Sequence, residues 1–308
     1  MYTDSEPLSV LTSADRLFRI DRLVRVRPVS ETRIEIANFA PAELRDVTLL
    51  MSIDGGPTNV EVATIDVFAP HGITEIDYPF LQAPHEARTT SGQVVDMSAH
   101  RTGIDPATVT FDFTSPTGLA ARLAALDGMN WELALHDYNP DNDPESSWAL
   151  DPEPVHARLY TAIVINWATV VNDPGLRSAF IAEPIIDNDG TTLLTAQEKA
   201  ALHDRMRGFG RTNLGVISQN VSGLGGGSVL GVHNYVLRAH MRDMPWSDGT
   251  YTHEFGHQLG FGHSSTMTYP RDDQGWTVVA RRELIRLSDA GALPITQANY
   301  YQPGDYAE

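Results

Sequence analysis

The chain has 308 residues, enough for two domains of about 150. Against 40 acidic residues stand 22 basic ones, a formal charge of −18 that argues against a nucleic-acid partner, since little cationic surface is left to face phosphate. There is no cysteine, which excludes a disulfide framework and a thiol-latched zinc, and no run of about 18 apolar residues that would span a membrane.

The opening Met1-Tyr2-Thr3-Asp4-Ser5-Glu6-Pro7 is polar and acidic, without the charged and apolar regions of a signal peptide. Residues 23–29, 32–39, 47–53, 60–68, 74–80, 108–113 and 131–138 alternate apolar and polar side chains or are β-branched. Asp54-Gly55-Gly56-Pro57 and Pro70-His71-Gly72 supply turns between them. Short strands at this spacing predict an antiparallel sandwich. One helix is predicted within it, with Ser115-Pro116 as N-cap and first residue ahead of Leu119, Leu123 and Leu126.

Residues 139–154 concentrate acids and prolines and predict an inter-domain linker, hence domains 1–150 and 151–308. Asp137, Asp141, Asp143 and Glu145 offer hard oxygen ligands to calcium, but no twelve-residue EF-hand loop accompanies them, and a solvated linker is the simpler reading. Asp187-Asn188-Asp189-Gly190 reads as a turn.

Beyond the linker, the apolar, β-branched run 159–171 predicts a central strand. Thr195-Ala196-Gln197-Glu198 is a capping box opening a helix through about Arg207, with Ala200, Ala201, Leu202 and Met206 on its inner face. Residues 214–221 predict another strand. Gly223-Leu224-Gly225-Gly226-Gly227 follows without the Lys-Ser/Thr that a phosphate cradle needs. A helix is predicted from about Ser247-Asp248-Gly249 to Gly260 and another over 276–287, leaving an extended C-terminal tail.

The chemistry is concentrated in His253-Glu254-Phe255-Gly256-His257-Gln258-Leu259-Gly260-Phe261-Gly262-His263. On a helix His253 and His257 project from one face about a turn apart, so both imidazoles can bind one metal ion at roughly 2.0–2.1 Å. Gly260 tolerates the positive φ that ends a helix and lets the chain return His263 as third ligand. Three protein ligands leave a position for water, which Glu254 can reach without being a ligand itself. The pattern should arise by chance in roughly one chain in ten thousand of this size. His233 and His240, seven apart, lack an accompanying acid pattern, and His71, His85, His100, His136, His156 and His203 have no ligand-type spacing.

The eleven residues resemble the metzincin clan of zinc metallopeptidases, whose signature H-E-x-x-H-x-x-G-x-x-H is followed by a methionine-containing turn. Ser265-Thr266-Met267-Thr268-Tyr269 fits the S-x-M-x-Y form of that turn, although only three residues separate His263 from Met267, fewer than is usual in the clan. The resemblance implies an α+β fold. In it a metzincin-like catalytic domain, with a mixed sheet, an active-site helix and a C-terminal helix, follows the all-β sandwich-like domain. It implies one catalytic Zn²⁺ on His253, His257 and His263, Glu254 as general base, and Met267 as a soft apolar floor beneath the metal. Tyr269 either ligates zinc and stabilises an oxyanion or simply packs. Residues 229–232 would be the edge strand to which an extended peptide adds.

The implied activity is hydrolysis of protein or peptide substrates, glycoproteins among them if the sandwich docks them. The alternative is an adhesive or glycan- or protein-binding module carrying a weak or inactive peptidase domain. The resemblance implies a secreted protein, a cytoplasmic location stays open for want of a signal peptide, and oligomeric state and cleavage specificity are not legible.

Overall fold

The computed structural model describes residues 18–116, 118–135, 147–149, 153–218, 221–225 and 229–307. The acids Asp137, Asp141, Asp143 and Glu145, considered for calcium, lie outside the described residues, as do Gly226 and Gly227. Among the described residues the chain is mixed α/β, with seven α-helices and three sheets, compatible with the α+β class. It divides into two compact units, Arg22–Asp127 and Gly128–Glu308, and residues 18–21 belong to the second. No helix among these residues is long and apolar enough to cross a membrane.

Strand β1 (Phe18–Arg19) belongs to the second unit. The first carries β2 (Val24–Pro28), β3 (Arg33–Asn38), β4 (Leu44–Ile53), β5 (Val60–Phe68), β6 (Ile73–Asp77), β7 (Glu86–Thr89), β8 (Val94–Asp96) and β9 (Val109–Thr114), then helix α1 (Gly118–Ala124). These strands make two antiparallel sheets, in the orders β2-β3-β6 and β8-β7-β5-β4-β9. The strand expected over 74–80 stops at Asp77 because Pro79, which has no N–H for the ladder, opens a 3₁₀ turn. The β7–β8 hairpin was not legible in the sequence, since its strands are short and mostly exposed and carry no apolar alternation.

The second unit continues with β10 (Trp131–Leu135), α2 (Pro154–Asn172), α3 (Pro174–Ala182), α4 (Ala196–Arg207), β11 (Gly210–Ile217), β12 (Gly223–Leu224), β13 (Val229–His233), α5 (Asn234–Arg242), α6 (Met244–Gln258) and α7 (Trp276–Asp289). Its mixed sheet has the order β1-β10-β11-β13-β12. Trp131–Leu135, expected as the last strand of residues 1–150, pairs in parallel with β11, so the units divide at Asp127/Gly128. A parallel partner some eighty positions away leaves no local signal in the sequence.

The run read as a central strand is instead helix α2. It opens at Pro154, where the Glu153 N–H donates to His156 Nδ1 (2.8 Å), and ends before Asp173, whose carboxylate caps α3 through the Gly175 N–H at 2.7 Å. Buried side chains occupy every face of α2, so the amphipathic period that marks a surface helix is missing. Its length fits a helix, because buried strands run to about eight residues and this apolar stretch is longer.

Helix α4 is capped as its sequence predicts, with Thr195 Oγ1 accepting from the Glu198 N–H (3.2 Å) and Glu198 Oε2 accepting from the Thr195 N–H (2.7 Å). Its buried face, however, is Lys199, Leu202, His203 and Met206, with Ala200 half-buried and Ala201 exposed. Two expectations about the cleft region change. β13 is not an edge, because β12, within the glycine run, pairs with it on the outside. The helix that carries His253 and His257 starts at Met244, ahead of the expected Ser247, with proline in its first turn.

The C-terminal segment is also no extended tail. Tyr300 and Asp305 are buried, and Asp305 receives both Arg158 Nε and Nη2 at 2.6 Å. Helix α6 packs between α5, α7 and β13. Tyr251, Phe255 and Leu259, four residues apart, form its buried stripe. Around them stand Trp167, 5.9 Å from Tyr251 between ring centroids, and Trp131, 5.5 Å from Phe255. This stripe turns the opposite face of α6, with His253 and His257, toward the cleft.

Candidate metal centre

His253 and His257 lie one helical turn apart, their ring centroids separated by 4.7 Å. The helix ends where Gly260 takes φ +92, with its N–H on His257 O (2.9 Å) and the Phe261 N–H on Gly256 O (3.1 Å). That reversal brings His263 back. His257 Nε2 sits 3.1 Å from His253 Nε2 and 3.1 Å from His263 Nε2. His253 Nδ1 faces Thr268 O at 2.9 Å and His257 Nδ1 faces Phe261 O at 2.7 Å. A carbonyl only accepts, so each Nδ1 carries the proton, and each Nε2 presents a lone pair to the other. Converging lone pairs repel unless a cation lies among them. Two ligands at 2.0–2.1 Å on a tetrahedral ion stand about 3.3 Å apart, close to what is observed. Among the described residues these three histidines form the only group of side chains positioned to hold a metal ion.

Burial lowers the pKa of His253 and of His257, and neighbouring imidazoles add to the effect against the opposing carbonyl hydrogen bonds. Both rings are thereby kept in the neutral form that ligates. Glu254 is only 5 % exposed, and burial pushes its carboxyl up to about 7. A dication among the imidazoles opposes that shift, since Glu254 Oε1 is 3.9 Å from His253 Nε2.

The glycines around β12 make room for this carboxylate. A Cβ on Gly223 would lie 2.7 Å from Glu254 Cγ, and one on Gly225 would lie 2.6 Å from Glu254 Oε2. Only glycine lets this strand pass so close. The run Gly223 to Gly225 was legible as glycine-rich, but its contact with Glu254 was not.

Met267 is fully buried. The Met267 turn lies against Gly256, where a Cβ would sit 3.1 Å from the Met267 carbonyl carbon and 3.2 Å from Thr268 Cγ2. Tyr269 is 53 % exposed, with its ring 4.5 Å from that of His253 and 4.9 Å from that of His263. His233 and His240 do not join the cluster. His233 caps α5 by accepting from the Tyr235 N–H at 3.3 Å, and His240 is buried with its Nε2 3.1 Å from Asn166 Nδ2.

The short link from His263 to Met267 is braced from outside. Asn188, on the predicted turn, donates from Nδ2 to Gly260 O (3.0 Å) and accepts on Oδ1 from the Gly262 N–H (2.7 Å). Next to it Ser265 Oγ donates to Ile186 O (2.6 Å), and Thr266 Oγ1 accepts from the Ile186 N–H (2.7 Å). Asn188 therefore positions the loop that carries the third imidazole. We predict that Asn188→Ala weakens metal affinity up to about 10-fold, the low end of the effect of losing a partner bonded directly to a ligand, because Asn188 holds the loop and not the imidazole. Competition against a fluorescent chelator measures it, and an unchanged dissociation constant refutes it.

The three imidazoles and Glu254 open into a cleft of about 1080 Å³, bounded on one side by residues 221–225 and on the other by Thr277, Val278, Arg281, Arg282 and Ile285 of α7. In comparison with known proteins, no family model, no curated protein and no solved structure matches this chain.

Proposed function

We propose that the chain is a zinc-dependent endopeptidase of metzincin type, with His253, His257 and His263 as the zinc ligands and Glu254 as the general base. The observation that carries the reading is the convergence of three imidazole Nε2 atoms, two of them held as lone-pair donors by their Nδ1 hydrogen bonds, beside a buried carboxyl in an open cleft. The methionine turn, which packs against Gly256 and meets His253 Nδ1 through Thr268 O, supports the resemblance, and the brace from Ile186 and Asn188 holds its short link to His263. The antiparallel sheets of Arg22–Asp127 support reading the first unit as a sandwich-like accessory domain.

Bound zinc supplies Lewis acidity, activating water and polarising the scissile carbonyl. Glu254 takes a proton from the attacking water on a carboxylate oxygen and returns it to the leaving amine. Its burial suits this exchange, because desolvation raises the proton affinity of the carboxyl while a bound dication would oppose that rise, so the group can both take up and release a proton. The Nδ1 hydrogen bonds to Thr268 O and Phe261 O hold the rings of His253 and His257 in place throughout. The exposed ring of Tyr269 stands over His253 and His263, where its hydroxyl serves as a donor to the developing oxyanion.

The test is a digest of an unstructured protein. The purified chain is expected to hold one zinc per molecule, to cleave internal peptide bonds, to stop on chelation and to recover when zinc is restored. Hydrolysis that persists after the metal is removed sinks the proposal, as does a zinc-loaded chain that cleaves nothing.

A further inference from the structure

Resting on the peptidase reading, we propose that Arg281 and Arg282 make this cleft selective for substrates with an acidic side chain, aspartate or glutamate, beside the scissile bond. The two lie on the face of α7 that forms the cleft wall with Thr277, Val278 and Ile285. The opposite face, with Trp276, Val279, Leu284 and Leu287, is buried and fixes the helix in rotation. Both arginines are exposed, so their guanidinium groups are open to a ligand in the cleft.

Their charges are also uncommitted. Among the described residues neither arginine forms an ion pair, whereas Arg286, further along α7, is neutralised by Glu283 and by Asp173 at 2.8 Å. Arg282 Nη2 donates to the backbone oxygen of Asp273 at 3.3 Å, which steadies its head group without cancelling its charge. Among the described residues the only acids lining the cleft are Asp273 and Glu254, and Glu254 is buried beside the imidazoles. In a chain of charge −18, adjacent unpaired arginines in the cleft are the local exception. Guanidinium groups match carboxylates in geometry as well as charge. Val221 and Ile285 are exposed apolar side chains on the two walls and suit the aliphatic part of a glutamate or its neighbours.

Blocked fluorogenic peptides differing only in Glu against Gln next to the cleaved bond test this. With the zinc-loaded wild-type protein, kcat/KM is expected to favour Glu about three- to tenfold at low salt, the range two exposed ion pairs supply. That preference should shrink toward unity at high ionic strength. Arg281→Gln with Arg282→Gln should erase the preference, and Arg281→Glu with Arg282→Glu should invert it toward Lys peptides. Equal rates for Glu and Gln in the wild type, or a preference that survives both double variants, overturn the inference while leaving the peptidase reading intact.

If no peptide is cleaved, the peptidase reading falls by itself. Binding of the same two peptides to the zinc-loaded Glu254→Gln variant then decides the inference. Tighter binding of the Glu peptide that the arginine substitutions abolish sustains the acidic selectivity, and equal binding overturns it.

Discussion

Replacing Glu254 by glutamine is expected to lower kcat/KM by about 10²–10⁴-fold, the usual contribution of a positioned proton-transfer group, while one zinc per chain is retained. Glutamine has almost the same shape, so it fits the space that Gly223 and Gly225 leave beside the side chain. Its amide cannot take a proton from water at any relevant pH. The group positioned to hold the metal takes no atom from this residue, and the Nδ1 partners of His253 and His257, Thr268 O and Phe261 O, are backbone atoms unaffected by the change. Peptide kinetics with parallel metal analysis measure the effect. Full activity in a zinc-loaded Glu254→Gln protein would rule out the general-base role. A variant that loses zinc along with activity would instead make the residue part of the metal-binding set.

The second large effect concerns stability. Arg158 on α2 and Asp305 near the C-terminus form a bidentate pair with both contacts at 2.6 Å, their side chains only 6 % and 9 % exposed. Tyr300 donates its hydroxyl to the same carboxylate at 2.6 Å, and burial raises the Tyr300 pKa, so the phenol remains a donor. Asp305→Ala leaves a buried guanidinium without its carboxylate, at a cost of about 3–5 kcal/mol. For a unit of this size that lowers Tm by roughly 6–20 °C. Replacing both residues by apolar ones of similar volume, Arg158→Met with Asp305→Leu, should restore most of the loss, because no charge is then left to desolvate. Thermal unfolding followed by circular dichroism checks both. A single variant as stable as wild type would show that water reaches Arg158 and that the C-terminal segment is not anchored by this pair.

What could be read from the sequence follows a physical division. The clustered histidines, Glu254 and the turning Gly260 were legible because their geometry depends on spacings of one to six residues along one helix and its end. The capping box at Thr195 was equally local, since both of its hydrogen bonds join residues three apart. The run 159–171 was misread because a fully buried helix and a buried strand present the same unbroken apolar string. The sheet position of Trp131–Leu135 was missed because its parallel partner is distant in the chain.

By itself the sequence determined that three imidazoles and a carboxylate share one helix face and its return. Helix periodicity and a glycine at the turn suffice for that. Only the tertiary structure decided what surrounds them: Gly223 and Gly225 pressed against Glu254, Asn188 bracing a loop 72 positions away, two arginines of α7 facing the cleft, and Asp305 paired with a residue 147 positions earlier. These are packing relations between elements distant in sequence. They depend on which surfaces bury against each other, and no periodicity along the chain encodes that choice.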